Sequence, residues 1–294
     1  MKSSNHLMYR FGVLLLVVAG ATCLLLQSAQ ATVLFQEGFN YTPGSNLAPG
    51  NDGWVGGSKA NLDIASAAMT PPAVDNTLSV TSGYALNVIN GTSCIDSNFL
   101  SSPVTSGNIY YSFLISSSAT PTNNTYISLT DPLGGPANGS GDPLAVYYGS
   151  STGGWKIGVR TTSGGSGGSF ETTTLNLNQT YFVVVDYAFN GSGAGYGQVN
   201  LWLDPPNSTL GPGGTGQPGT PDATQNAGTP NVVSSIADVA IKAQSVAYGQ
   251  YEISDLTIGT TWADVTPVVV PEPSTLVLVG LGVLGLVFAR RMRR

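Results

Sequence analysis

Any reactive chemistry in this chain has to come from carboxylates. The 294 residues hold one histidine, His6, and two cysteines, Cys23 and Cys94. His6 and Cys23 lie in an N-terminal segment patterned as a removable leader. Residues 1–10 carry Lys2 and Arg10 and no acid, and residues 11–26 are almost wholly apolar. Ala29-Gln30-Ala31 then puts small residues where a signal peptidase reads, so cleavage is expected before Thr32. With residues 1–31 removed, no histidine remains to serve as a base, to activate a nucleophile or to ligate zinc. Cys94 is left as a single thiol. No Lys, Arg or His stands beside it to lower its pKa, so it is read as a small packing residue.

What remains is acid–base work by a pair of carboxylates. The glutamates of the body are Glu37, Glu171 and Glu252. In Glu252-Ile253-Ser254-Asp255 the offset of three puts the two acids on opposite faces of a regular strand. Asp186, between Val185 and Tyr187, is expected to be a hydrogen-bonded structural acid, with an inward catalytic acid as the competing role. No catalytic residue is therefore assigned. Asn51-Asp52-Gly53, Asp131-Pro132 and Gly141-Asp142-Pro143 offer oxygen ligands for calcium. None has full calcium-loop spacing, and each reads first as a turn, so no cofactor is expected. Trp54, Tyr147, Tyr148, Trp155 and Tyr196 fall at loops or strand ends, where a ring can stack on a sugar face; core packing is the competing role.

Charge narrows the partners further. The chain has ten Lys and Arg; removing Lys2, Arg10 and the four tail arginines leaves Lys59, Lys156, Arg160 and Lys242. Sixteen acids less Glu272 leave fifteen, so the formal charge of residues 32–271 is −11. Nothing in the sequence suggests a basic patch for a phosphate backbone, and nucleic acid is not an expected partner. An acidic polysaccharide would meet net repulsion unless cations bridged it.

These residues must be positioned by strands. The period of the body is two. Residues 181–189 carry Tyr181, Val183, Val185 and Tyr187 on one face and Phe182, Val184 and Asp186 on the other, which predicts a central strand covered on both sides. Residues 109–115 alternate in the same way. Further strands are expected at 33–39, 84–89, 126–130, 144–148, 155–160, 199–203, 236–243 and 251–258, separated by Gly, Asn, Ser and Pro clusters. No long amphipathic helix interrupts them. The pattern predicts an all-β fold, an antiparallel β-sandwich or jelly roll, over residues 32–266. The Pro/Gly-rich stretch 205–230 reads as a long surface loop, because too few strands follow it for a second domain.

At the other end, Pro271-Glu272-Pro273 in the linker 267–275 leads into the apolar run 276–289, then Arg290, Arg291, Arg293 and Arg294. About 14 helical residues span ~21 Å, short of a ~30 Å hydrocarbon core unless flanking residues or bilayer thinning contribute. The arginines are expected to stay cytoplasmic in segment 290–294, with the body on the far side. This order of parts resembles the PEP-CTERM sorting signal of Gram-negative bacteria. The resemblance implies recognition at the inner membrane by an exosortase-type enzyme, cleavage near the motif, release or attachment at the cell surface, and an association with exopolysaccharide and biofilm.

A second resemblance lies in Val199-Asn200-Leu201-Trp202-Leu203-Asp204-Pro205 followed by Tyr251-Glu252-Ile253-Ser254-Asp255-Leu256-Thr257-Ile258-Gly259-Thr260-Thr261-Trp262, which is similar to the closing strands of concanavalin A-like, laminin-G-type jelly rolls and extends as a strand pattern over Phe35 to Val265. It implies two packed antiparallel sheets, with calcium or sugar sites in some members. Glycosidases of that fold carry a Glu-x-Asp-x-Glu run that this chain lacks. The expectation is a noncatalytic exported surface or matrix protein; the alternative is a carbohydrate-binding module, and a glycosidase or lyase stands behind both.

Overall fold

The computed structural model describes residues 32–47, 53–56, 62–72, 78–79, 83–88, 94–120, 125–130, 144–160, 168–189, 197–211, 214–226, 235–243 and 251–268. The expected leader 1–31, the Pro271-Glu272-Pro273 segment and the apolar run 276–289 lie outside them. Among the described residues, no helix is long and apolar enough to cross a membrane.

Among the described residues fifteen strands follow in order: β1 Val33–Glu37, β2 Val55–Gly56, β3 Leu62–Ile64, β4 Leu86–Val88, β5 Cys94–Val104, β6 Asn108–Ser117, β7 Thr125–Thr130, β8 Leu144–Ser151, β9 Gly154–Arg160, β10 Ser169–Phe170, β11 Tyr181–Ala188, β12 Gln198–Leu203, β13 Ala223–Asn226, β14 Ile236–Ala243 and β15 Tyr251–Gly259. One short helix, α1 Trp262–Val265, closes the described chain. An eight-stranded sheet runs β13-β12-β11-β6-β15-β4-β3, with β1 also paired to β15. A seven-stranded sheet runs β10-β9-β8-β7-β14-β5-β2. The pairs are antiparallel, and the two sheets form a β-sandwich around one apolar core.

β11 shows how the sequence builds this. Tyr181, Val183, Val185 and Tyr187 enter the inter-sheet core, with Ile109, Tyr111, Phe113 and Ile115 of β6 beside them. Phe182 and Val184 point the other way, into a second apolar cluster with Leu114, Trp202, Leu210, Trp262 and Val265. Both faces are thus covered, as the double alternation requires. The second cluster is roofed by the chain after β12 and by the segment around α1. Trp262 Nε1 donates to Thr209 O (2.8 Å), Trp202 Nε1 to Pro218 O (3.2 Å) and Gly211 N to Thr266 Oγ1 (3.0 Å). The Trp202 and Trp262 rings meet edge to face, 5.3 Å apart. Within the stretch 205–230 the structure also holds a 3-10 turn, Asn207–Thr209, and the edge strand β13.

The closing motif now has physical reasons. A bulge shifts β15 between Ser254 and Thr257, with Asp255 at φ 52°, so that Leu256 and Ile258 reach the main core after Tyr251 and Ile253. Gly259 has to be glycine: an added Cβ would sit 2.5 Å from Asp264 Cβ. Asp264 caps α1 by accepting from Thr260 N (3.0 Å) and Thr261 N (2.8 Å). Trp262 then anchors the roof.

β5 has no counterpart among the expected strands. Its sequence breaks the apolar alternation with Asp96-Ser97-Asn98, all three buried, and with Ser101-Ser102, and it contains Pro103. Its place against β14 makes it a strand despite weak local preference. Pro103 falls where the ladder breaks register, since Asp238 faces Phe99 but Ile236 faces Val104.

Val185 is fully buried in the core. Val185→Asp places a carboxylate there, away from water, and is expected to cost about 3 kcal/mol or more and to unfold the body. A melting temperature within a degree or two of wild type contradicts the central position of β11.

Candidate functional site

The acids with catalytic potential are held by structural hydrogen bonds. Asp186 projects from β11 on the outer side of the eight-stranded sheet. Asn200 Nδ2 of β12 donates to its Oδ1 (2.8 Å), while Asn108 Nδ2 of β6 and Gln217 Nε2 of the roof donate to its Oδ2 (both 3.3 Å). Gln217 in turn accepts from the Tyr110 hydroxyl (2.9 Å), and Asn200 from Thr224 Oγ1 (2.7 Å). Burial pushes the Asp186 carboxyl above the usual range, and the amides draw it back. Three amides around one carboxylate form a clamp that ties β6, β11, β12 and the roof together.

Glu37 and Glu171 follow the same rule. Glu37 accepts from Phe39 N (2.6 Å), Trp54 Nε1 (2.8 Å) and the Tyr41 hydroxyl (2.5 Å). Glu171 accepts from Thr173 N. The bulge in β15 corrects the expected separation of Glu252 and Asp255. The extra residue cancels the odd offset, and Asp255 lies on the outer side with Ser112, Leu114, Phe182 and Thr257, around a small crevice. A reading based on regular alternation had no signal for that bulge. Asp204 and Asp222 were not singled out by sequence. Asp204, at φ 44°, accepts from Phe182 N (2.7 Å), and Asp222 from Leu203 N (2.8 Å), so the two staple the base of the roof to β11 and β12. Among the described residues, no group of three or more His, Cys, Asp or Glu is gathered as for a metal.

The aromatic candidates divide. Trp54 and Trp155 are 1% and 0% exposed, which removes both as sugar platforms. Trp54 is held by Glu37 and stacks on Phe39 (6.4 Å); Trp155 donates to Asn176 O (3.0 Å) and meets Tyr181 edge-on (5.7 Å). Both sit near strand ends in sequence, but there the chain folds back over them. Tyr147 and Tyr148 lie in β8, in register with Gly158 and Ile157 of β9. Tyr196 and the calcium-ligand candidates Asp52, Asp131 and Asp142 lie outside the described residues.

Residues 269–294 match the PEP-CTERM protein-sorting motif. The tail with Pro271, Glu272 and Pro273 is thus a sorting signal of an exported protein. No curated protein is significantly similar to the chain. Among solved structures, the alginate lyase Aly36B is 13% identical with a TM-score of 0.47, over 79% of this chain and 98% of its own. The T. cruzi calreticulin globular domain is 12% identical with a TM-score of 0.45, over 78% of this chain and 88% of its own. A SAP-like pentraxin from Limulus polyphemus is 16% identical with a TM-score of 0.35, over 56% of this chain and 69% of its own.

The roof has a pH signature. Burial pushes the Asp204 carboxyl up to about 6, with Phe182 N pulling it down and the Asp222 charge adding to the rise. Its folded pKa exceeds the unfolded one, so the folded state binds the proton more tightly. This group therefore destabilises the fold progressively as pH rises from about 4 to about 6. Asp204→Asn keeps an oxygen acceptor for Phe182 N and tolerates the positive φ. The variant is expected to melt at or above the wild-type temperature at pH 7, and to lose part of the wild-type decline between pH 4.5 and pH 7. Melting curves at both pH values check this.

Proposed function

We propose that this chain is a noncatalytic exported protein of the cell surface or extracellular matrix, with the sandwich as its stable working module. The sorting motif carries the reading. An exosortase-type enzyme is the processing partner. Before processing, residues 276–289 hold the chain in the inner membrane of a Gram-negative cell, with Arg290, Arg291, Arg293 and Arg294 on the cytoplasmic side. Export of this kind delivers the body to a setting rich in exopolysaccharide and biofilm. Support for the noncatalytic part comes from the acids: Glu37, Glu171, Asp186 and Asp264 already accept hydrogen bonds that hold the fold together. A carboxylate held by three amides has little freedom to act as a proton shuttle.

Processing near Pro271 to Ser274 removes residues 276–294. The intact mass of protein extracted from the surface of cells with a working sorting system is expected to lack them; a mass that retains the terminal arginines overturns the sorting reading. Incubated with common polysaccharides, the protein is expected to generate no new reducing ends and no unsaturated products. Turnover that Asp186→Asn abolishes would make the body an enzyme.

A further inference from the structure

After α1 a short strap, residues 266–268, is seated on the body residue by residue. Thr266 is 0% exposed; its Oγ1 donates to Trp262 O (2.9 Å) and accepts from Gly211 N (3.0 Å). Pro267 O accepts from Ser79 N (2.8 Å). Val268 forms an antiparallel bridge with Leu78 and packs against the outer apolar cluster. Its side chain fills a notch at Gly211, where an added Cβ would stand 2.4 Å from Val268 Cγ2 and 3.2 Å from Cγ1. Gly211 also has φ 68°, so backbone conformation and space both call for glycine at the notch.

The sorting motif begins directly after the strap. Its match covers residues 269–294, and Pro271 stands three positions after Val268. Three residues of chain span at most about 11 Å, even fully extended. Extended peptides are gripped through their main-chain N–H and C=O groups. Around this motif such groups are scarce. Pro271 and Pro273 have no N–H. Pro267 O and the backbone of Val268 are already paired with residues 79 and 78. Only Val269 and Val270 stand between the motif and the seated strap.

We infer that the strap is a brake on the processing of this chain: while it is seated on Leu78, Ser79 and Gly211, too little backbone upstream of the motif is free to enter the processing enzyme. Cutting then waits for the strap to lift. The step itself breaks one peptide bond among residues 271–274. Its acyl side passes to water or another nucleophile, and its amine side leaves with the tail. The strap does not alter that chemistry; it sets the fraction of time in which the segment can be bound. Its seats come from residues 78–79, 211 and 262, so it forms only in a folded body, and folding slows the cut. The inference rests on the sorting reading and adds a control to the same site.

The test follows processing by pulse-chase in cells with a working sorting system, for the full chain and its variants. A short Gly/Ser insertion between Val268 and Val269 leaves the seats untouched and lengthens the free segment. Gly211→Ala pushes Val268 out of its notch. Each is expected to be cut about tenfold faster than wild type, because the strap's hydrogen bonds and valine seat hold it down by at least that factor. The two changes combined are expected to gain little beyond either alone, since both relieve one constraint. Hydrogen exchange on the processed protein recovered from cells gives a second readout. Ser79 N–H is expected to be protected in wild type and in the insertion variant, and to exchange faster in Gly211→Ala. Equal or slower cutting of the insertion variant overturns the inference, as do gains that multiply in the combined variant. Exchange of Ser79 N–H in wild type at the rate of an unfolded chain overturns it too. If Gly211→Ala does not fold, the insertion variant still decides. A wild type that is never cut overturns the sorting reading and the brake with it; one that is cut as fast as the insertion variant refutes the brake alone.

Discussion

Phe182, Val184 and Leu114 point away from the inter-sheet core, and water has to be kept from them as firmly as from Val183 and Val185 on the other side. Each large apolar side chain so covered contributes about 2 kcal/mol. That requirement shapes much of the molecule. The long stretch between β12 and β13 is not a spacer but a roof, and α1 with its flanking residues completes it. Trp202 and Trp262 serve both roles at once, burying ring area while their indole N–H groups grip roof carbonyls.

Covering a sheet on both faces also buries the polar groups along it. With only four Lys and Arg in the body, ion pairs are not the general solution. Carboxylates are instead satisfied by amides, indoles, hydroxyls and backbone N–H groups: Asp186 by Asn108, Asn200 and Gln217, Glu37 by Trp54, Tyr41 and Phe39 N, Asp264 by the backbone at Thr260 and Thr261. A neutral donor needs no charged partner to be desolvated with it, which lowers the penalty of burial relative to a buried ion pair.

The sequence by itself determined the class of fold, the central strand and the export tail. Alternation of Tyr181 to Val185 with Phe182 and Val184 is a local pattern whose period is set by backbone geometry, so it can be read without knowing any neighbour. The tail is a linear signal and was legible for the same reason. The roles of Asp186 and of the tryptophans were only partly legible. Sequence placed Asp186 on an apolar strand, but its three amide partners come from residues 108, 200 and 217, far apart along the chain. Tertiary structure alone decided that β5 is a strand, because a segment without regular alternation gains its ladder from β14 and not from its own pattern. It alone decided that Glu252 and Asp255 share a side, since one bulged residue inverts every face after it.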